Sequence, residues 1–177
     1  MIIAVDGENA MSRNKITKDT IPEGFSISLA IYDFVPVLLF GLCVVKIGSL
    51  FHSAMFIAGA VICSLSGVVK VLWKLIAAMR KKNIWPMFLQ MRIFMPVGFV
   101  LMLIALFVDR TNLNAAAIIA GLTGVPPCVF FAMGVIGMLL MCVFAVRLDS
   151  SDARSNFIEQ TTNSIAQLCF FIGLLLV

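Results

Sequence analysis

Polar positions along this chain are sparse, and they gather in short stretches that separate long apolar runs. Runs of roughly 20 apolar residues predict helices that cross a hydrocarbon core of about 30 Å, because a spanning segment must satisfy its own backbone hydrogen bonds. The first such run extends from Phe25 to Ile47, with Asp33 and Pro36 in its first half and Lys46 at its end. A tight connection, Gly48 to Ser53, holds the lone His52. The second run begins near Ala54 and continues past the lipid boundary to Arg80, Lys81 and Lys82. The third restarts at Trp85 and Pro86 and ends near Val108. From Ala115 to Val146 the apolar stretch is too long for one upright helix, and Gly121, Gly124, Pro126 and Pro127 interrupt it. A short re-entrant or interfacial piece at Ala115 to Gly124 and a fourth span at about Pro127 to Val146 follow from that punctuation. In the last stretch Asn156, Glu159 or Gln160, Asn163 and Gln167 recur every three to four residues and lead into the apolar end Leu168 to Val177. On a helix these positions form one polar stripe. The pattern predicts a fifth membrane helix whose first half faces something polar inside the protein.

Composition agrees with the pattern. The chain has 177 residues, 62% of them hydrophobic and only 12% charged. The fold class expected is an all-α integral membrane protein, a bundle of five transmembrane helices. Residues 25–177 form a single domain behind a polar cytoplasmic tail at 1–24, leaving no room for a separate soluble catalytic domain. That tail lacks the apolar core of a secretory signal peptide, and Ile2 after Met1 excludes N-myristoylation.

Cationic residues set the expected orientation. A cytoplasmic N-terminus puts Arg13, Lys15, Lys18, Arg80, Lys81, Lys82, Arg147 and Arg154 inside, and leaves Lys46 and Arg110 outside. The C-terminus is then outside, and the expected location is the cell (plasma) membrane. The net charge of +4 needs no nucleic acid to explain it.

Little conventional chemistry is present. Cys43, Cys63, Cys128, Cys142 and Cys169 lie in apolar stretches without a C-x-x-C pair, which reads as buried inert thiols. With His52 as the single histidine there is no basis for a zinc or haem site, and no cofactor is expected. G-x-S-x-G, H-E-x-x-H and P-loop patterns do not occur. Asp149 and Asp152 have a spacing that could hold a metal ion, but they read better as partners for Arg147 and Arg154, with Asp152 or Ser155 capping the last helix.

The informative polar residues lie within the spans. Taking about 1.5 Å per residue, Asp33, Arg92 and Asn163 each sit about 10 Å from the cytoplasmic end of their spans. Lys70 and Glu159 are shallower and Gln167 deeper, so Asp33, Lys70, Arg92, Glu159, Asn163 and Gln167 are expected to line one cavity in the cytoplasmic half. Intramembrane ionisable residues cost a few kcal/mol to insert and are therefore candidates for function. The competing reading pairs Asp33 with Arg92, and Glu159 with Lys70 or Arg147, as interhelical glue worth about 1 kcal/mol per contact. Trp73 and Lys74 read as an interface pair, although Lys70 and Lys74 continue roughly along the small-residue face Gly59, Cys63, Gly67. Gly134 and Gly137 supply a second such face.

The leading functional expectation is a small transporter or ligand-binding membrane protein. Arg92 and Lys70 would neutralise an anionic group of a small ligand, Asn163 and Gln167 would orient it, and Asp33 or Glu159 could carry a coupling proton. One rival is a membrane enzyme acting on a lipid headgroup or isoprenoid phosphate, with the same cations holding phosphate and Glu159 or Asp33 as general base. A second rival is an interaction subunit whose small-residue faces dock a partner membrane protein. Membrane lipid surrounds the protein under every reading, and each is compatible with a homo-oligomer.

Overall fold

A computed structural model of the chain describes residues 26–148 and 152–177. The tail assigned to 1–24 and the residue Asp149 lie outside the described residues. What is described is all-helical: α1 (Ile27–Tyr32), α2 (Phe34–Leu50), α3 (Ala54–Arg80), α4 (Trp85–Val108), a 3-10 turn (Arg110–Asn112), α5 (Ala115–Thr123), α6 (Pro127–Arg147) and α7 (Ala153–Leu175). Among the described residues four segments are long and apolar enough to cross a membrane: Ile27–Leu50, Ala54–Arg80, Trp85–Val108 and Pro127–Phe144. Helix α7, at 23 residues, has the length, but the polar residues of its first half lower its hydropathy.

Local chemistry explains the boundaries. Ser26, Ser53, Asn114 and Asp152 each accept a hydrogen bond from a backbone N–H of the first turn that follows, capping α1, α3, α5 and α7. Helix α3 ends where Lys81 takes a left-handed conformation, φ 49°. The separation of α1 from α2 has its cause in Pro36, which has no N–H to give to the carbonyl of Tyr32. Asp33 occupies the resulting break.

Helices α3 and α4 form one antiparallel hairpin and α6 and α7 another, with α2 packed between α3 and α7, and α1 resting on α3. The order across the bundle is therefore α4, α3, α2, α7, α6, with α5 lying on α6. Small residues make these approaches possible. A Cβ on Gly59 would stand 2.6 Å from the carbonyl oxygen of Gly98, and a Cβ on Gly98 the same distance from that of Gly59. The two backbones touch there, which only glycine permits. Gly67 admits Val37 of α2, Gly134 admits Phe170, and Gly137 admits Ala166. The faces expected at Gly59/Cys63/Gly67 and Gly134/Gly137 are thus filled by helices of the same chain.

The bundle has two distinct ends. At one, Leu29, Trp73, Ala77 and Phe88 form a cluster beside the basic turn, and Tyr32 stacks on Phe157 at 4.9 Å. At the other, Phe51 pairs with Leu113 by an isolated bridge, and Ser53 donates to Asp109. Trp73 corrects the sequence expectation. It is buried against Phe88 and donates from Nε1 to Asn83 Oδ1 at 3.0 Å, so it anchors the α3–α4 turn instead of facing the lipid interface. Among the thiols, Cys43, Cys63 and Cys169 are buried, whereas Cys142 is exposed on α6.

Candidate polar cavity

The break at Asp33 turns a short carboxylate into the bundle with only 2% of its residue surface exposed. Aspartate is too short to reach the interface from such a position, so its charge has to be met inside the protein. Lys74 of α3 meets it, with Nζ 2.5 Å from Asp33 Oδ2. Both side chains are almost fully buried. Lys74 Nζ also donates to Asn156 Oδ1 of α7 at 3.2 Å, and the Asn156 amide is itself held by donation to the Asp152 carbonyl at 2.9 Å. One ammonium thus ties the α1–α2 break to α3 and α7. The other oxygen of Asp33, Oδ1, is buried with no hydrogen-bond partner among the described residues.

Beside this pair lies a cavity of about 160 Å³. Asp33, Ser64, Lys70, Gln160, Asn163 and Gln167 are its polar lining, and Val37, Phe40, Met95, Phe99 and Met138 are among its apolar lining. The polar lining is built by position. Gln160, Asn163 and Gln167 share one face of α7, and Lys70 lies one turn along α3 from both Gly67 and Lys74. No carboxylate lies within ion-pair distance of Lys70 among the described residues. Glu159, half-buried on α7, is within electrostatic range of Lys70, Lys74 and Asp33. Two carboxylates and two ammonium groups therefore balance across this region.

Of the six residues expected to share a cavity, Asp33, Lys70, Asn163 and Gln167 do line one. Glu159 does not line it, but lies within electrostatic range of Lys70. Arg92 is not part of it. Its side chain is exposed, and its guanidinium lies 4.8 Å from the centre of the Phe88 ring. A long cationic side chain can run back along its helix to an aromatic face and to water, and this costs less than desolvation inside the bundle. The expected Asp33–Arg92 pair is accordingly replaced by Asp33–Lys74, and Lys74 is a buried partner, not an interface anchor. Gln160 and Asn156 also belong to the polar region without having been singled out for it, although both fell on the stripe of α7.

Nearby polar contacts serve as joints. Ser66 Oγ donates to Gln90 Oε1, and Gln90 Nε2 returns a bond to the Ser66 carbonyl, each at 3.2 Å, fastening α3 to α4. Tyr32 Oη donates to Thr161 Oγ1 at 3.2 Å, fastening α1 to α7. A larger cavity, about 300 Å³, lies at the opposite end between Leu50, Leu106, Leu122, Phe131 and Leu174. Among the described residues no ionisable side chain lines it. Comparison with protein-family models, curated proteins and solved structures gives no match to this chain.

Proposed function

We propose that this protein is a five-span membrane protein of the plasma membrane that binds a small polar solute in the cavity beside Asp33 and moves it across the bilayer. The fifth span is α7. Its buried positions include Asn156, Gln160 and Ser164, whereas Phe157, Ile158, Ile165, Leu168 and Leu175 are exposed. A helix that turns amides inward and apolar side chains outward suits lipid and not water. The N-terminus is cytoplasmic and the C-terminus outside. This orientation puts the basic turn Arg80, Lys81 and Lys82 together with Arg147 and Arg154 on the inner side, and α5 at the outer end. The cavity then lies in the cytoplasmic half of a single domain formed by 25–177.

One observation carries the reading: a buried carboxylate, one oxygen of which has no hydrogen-bond partner among the described residues, at a hollow lined by three uncharged amides and by Lys70, for which no carboxylate lies at ion-pair distance among the described residues. Interhelical glue alone would satisfy both oxygens, because an unmet buried acceptor costs about 1–3 kcal/mol and more when charged. The interaction-subunit reading is weakened by the same packing, since the small-residue faces that were to receive a partner are occupied by Val37, Phe170 and Ala166 of this chain.

Native mass spectrometry of the detergent-purified protein tests the proposal. The wild type and Arg92→Ala should retain a small-molecule adduct, and Asn163→Leu, and Asp33→Asn combined with Lys74→Met, should lose it while remaining folded. Absence of any adduct, together with no solute flux in proteoliposomes, would remove the proposal.

A further inference from the structure

The α3–α4 hairpin is one-sided in charge. Residues 34–108 contain no Asp or Glu, yet the hairpin carries Lys70, Lys74, Arg80, Lys81, Lys82 and Arg92. Other helices answer two of these cations: Lys74 pairs with Asp33, and Lys70 lies within electrostatic range of Glu159. Arg80, Lys81, Lys82 and Arg92 are exposed, and no carboxylate lies at ion-pair distance from any of them among the described residues. Their base is fixed. Trp73 bonds Asn83 within the turn and packs on Phe88, which in turn packs on Trp85 and lies under the Arg92 guanidinium.

Arg92 is the informative member. Cations beyond a helix end are ordinary at a membrane surface, but Arg92 lies inside a segment long and apolar enough to cross one. It stands seven residues past Trp85, a depth of about 10 Å at about 1.5 Å per residue. Leu89 and Pro96, the turn before and the turn after on its face of α4, are exposed, and so is the adjacent Ile93. That surface therefore faces lipid, where an unmet guanidinium is costly. Its position over Phe88, one turn nearer the helix start, brings the charge about 5 Å back toward the level of Trp85. Tryptophan marks the headgroup level, where lipid phosphates lie.

We infer that Arg92, with the turn residues Arg80, Lys81 and Lys82, holds the headgroup of an acidic phospholipid in the adjoining leaflet, the inner one under the proposed orientation. The depth of Arg92 selects a lipid over a soluble anion, because the bilayer itself delivers a chain-borne phosphate to that level. The sum of charge selects an acidic lipid, since a zwitterionic headgroup brings its own ammonium to the phosphate. The guanidinium fork can reach two phosphate oxygens at once. The inference needs α4 to cross the bilayer and is independent of the solute-binding reading.

Native mass spectrometry of the full-length wild type in detergent, titrated separately with dioleoyl phosphatidylglycerol and dioleoyl phosphatidylcholine, tests it. The two lipids share their chains and differ in net charge. The first phosphatidylglycerol should bind at least about tenfold more tightly than phosphatidylcholine, the effect of one charge-assisted contact. Arg92→Gln should remove most of that preference. Arg92→Lys, which keeps the charge, should keep most of it, and this separates headgroup recognition from a folding defect. Arg110→Gln makes the same change of charge beyond the other end of α4 and should leave the preference intact. Equal binding of the two lipids to the wild type would overturn the inference. So would a preference unchanged in Arg92→Gln, or one that Arg110→Gln weakens equally, because net charge and not a site would then be responsible. Displacement of bound phosphatidylglycerol by an equal concentration of glycerol phosphate would overturn it in favour of a soluble phosphate.

Discussion

At the residue scale the Asp33–Lys74 pair decides most. Each partner alone would be a buried charge, and breaking such a pair by removing one side typically costs about 3–5 kcal/mol, whereas replacing both is far milder. Lys74→Met should therefore lower the thermal unfolding midpoint in detergent sharply, and Asp33→Asn combined with Lys74→Met should recover most of the loss. A double variant as unstable as Lys74→Met would mean that the pair is not what Lys74 contributes. The sequence placed Asp33 inside the bundle because its side chain is short. It left Lys74 ambiguous, because a four-carbon stem can run to the interface or into the protein with equal covalent ease. Arg92 illustrates the same ambiguity with the opposite outcome. Its position begins the face of α4 that continues through Met95 and Phe99 to the cavity, yet its side chain folds back over Phe88.

At the element scale α7 organises the polar region, and its start is fixed by Asp152. The carboxylate accepts from the Ser155 backbone N–H at 2.9 Å and from the Ser155 hydroxyl at 3.0 Å. These bonds, the backbone one foremost, hold its pKa below the usual 3.8. A carboxylate whose folded pKa is depressed adds stability above its unfolded value and loses it as pH falls through the folded one. Acidification below the usual carboxylate range should therefore reduce hydrogen-exchange protection of the Ser155 amide. Asp152→Asn, which caps without titrating, should keep that protection across the same range. Identical pH profiles in the two proteins would exclude the cap as the titrating group. The capping role and the polar stripe of α7 were legible from residue types and spacing. The break between α1 and α2 was half legible: Pro36 announced a freed carbonyl, but not that Asp33 would sit in the gap.

At the scale of the whole molecule, two hairpins flank α2, and the polar residues of α1–α2, α3 and α7 meet where these helices converge. The proposed topology makes a direct prediction. A cysteine placed at Lys81 should react with a membrane-impermeant thiol reagent only when the cytoplasmic face is accessible, and one placed at Asn112 only from the outside, in a background whose native cysteines are replaced. Labelling of both positions from the same side would refute the proposed arrangement, because α4 alone lies between them and a single crossing separates the two sides. Lys46 and Arg110 at one end against Arg80, Lys81 and Lys82 at the other give the asymmetry behind the proposed direction.

The sequence by itself determined the class and the elements, since runs of apolar residues in a membrane protein have one backbone solution and the interruptions by Gly, Pro and charge mark its ends. It also set Asp33 and Asn163 at one depth, with Lys70 shallower and Gln167 deeper, because depth along a helix is counted in residues. Only the tertiary structure decided which of them face one another. Rotation about the helix axis and the choice of neighbour depend on where two backbones can touch, as at Gly59 and Gly98, and on which way a long side chain bends. Those choices gave Asp33 to Lys74 and sent Arg92 to Phe88.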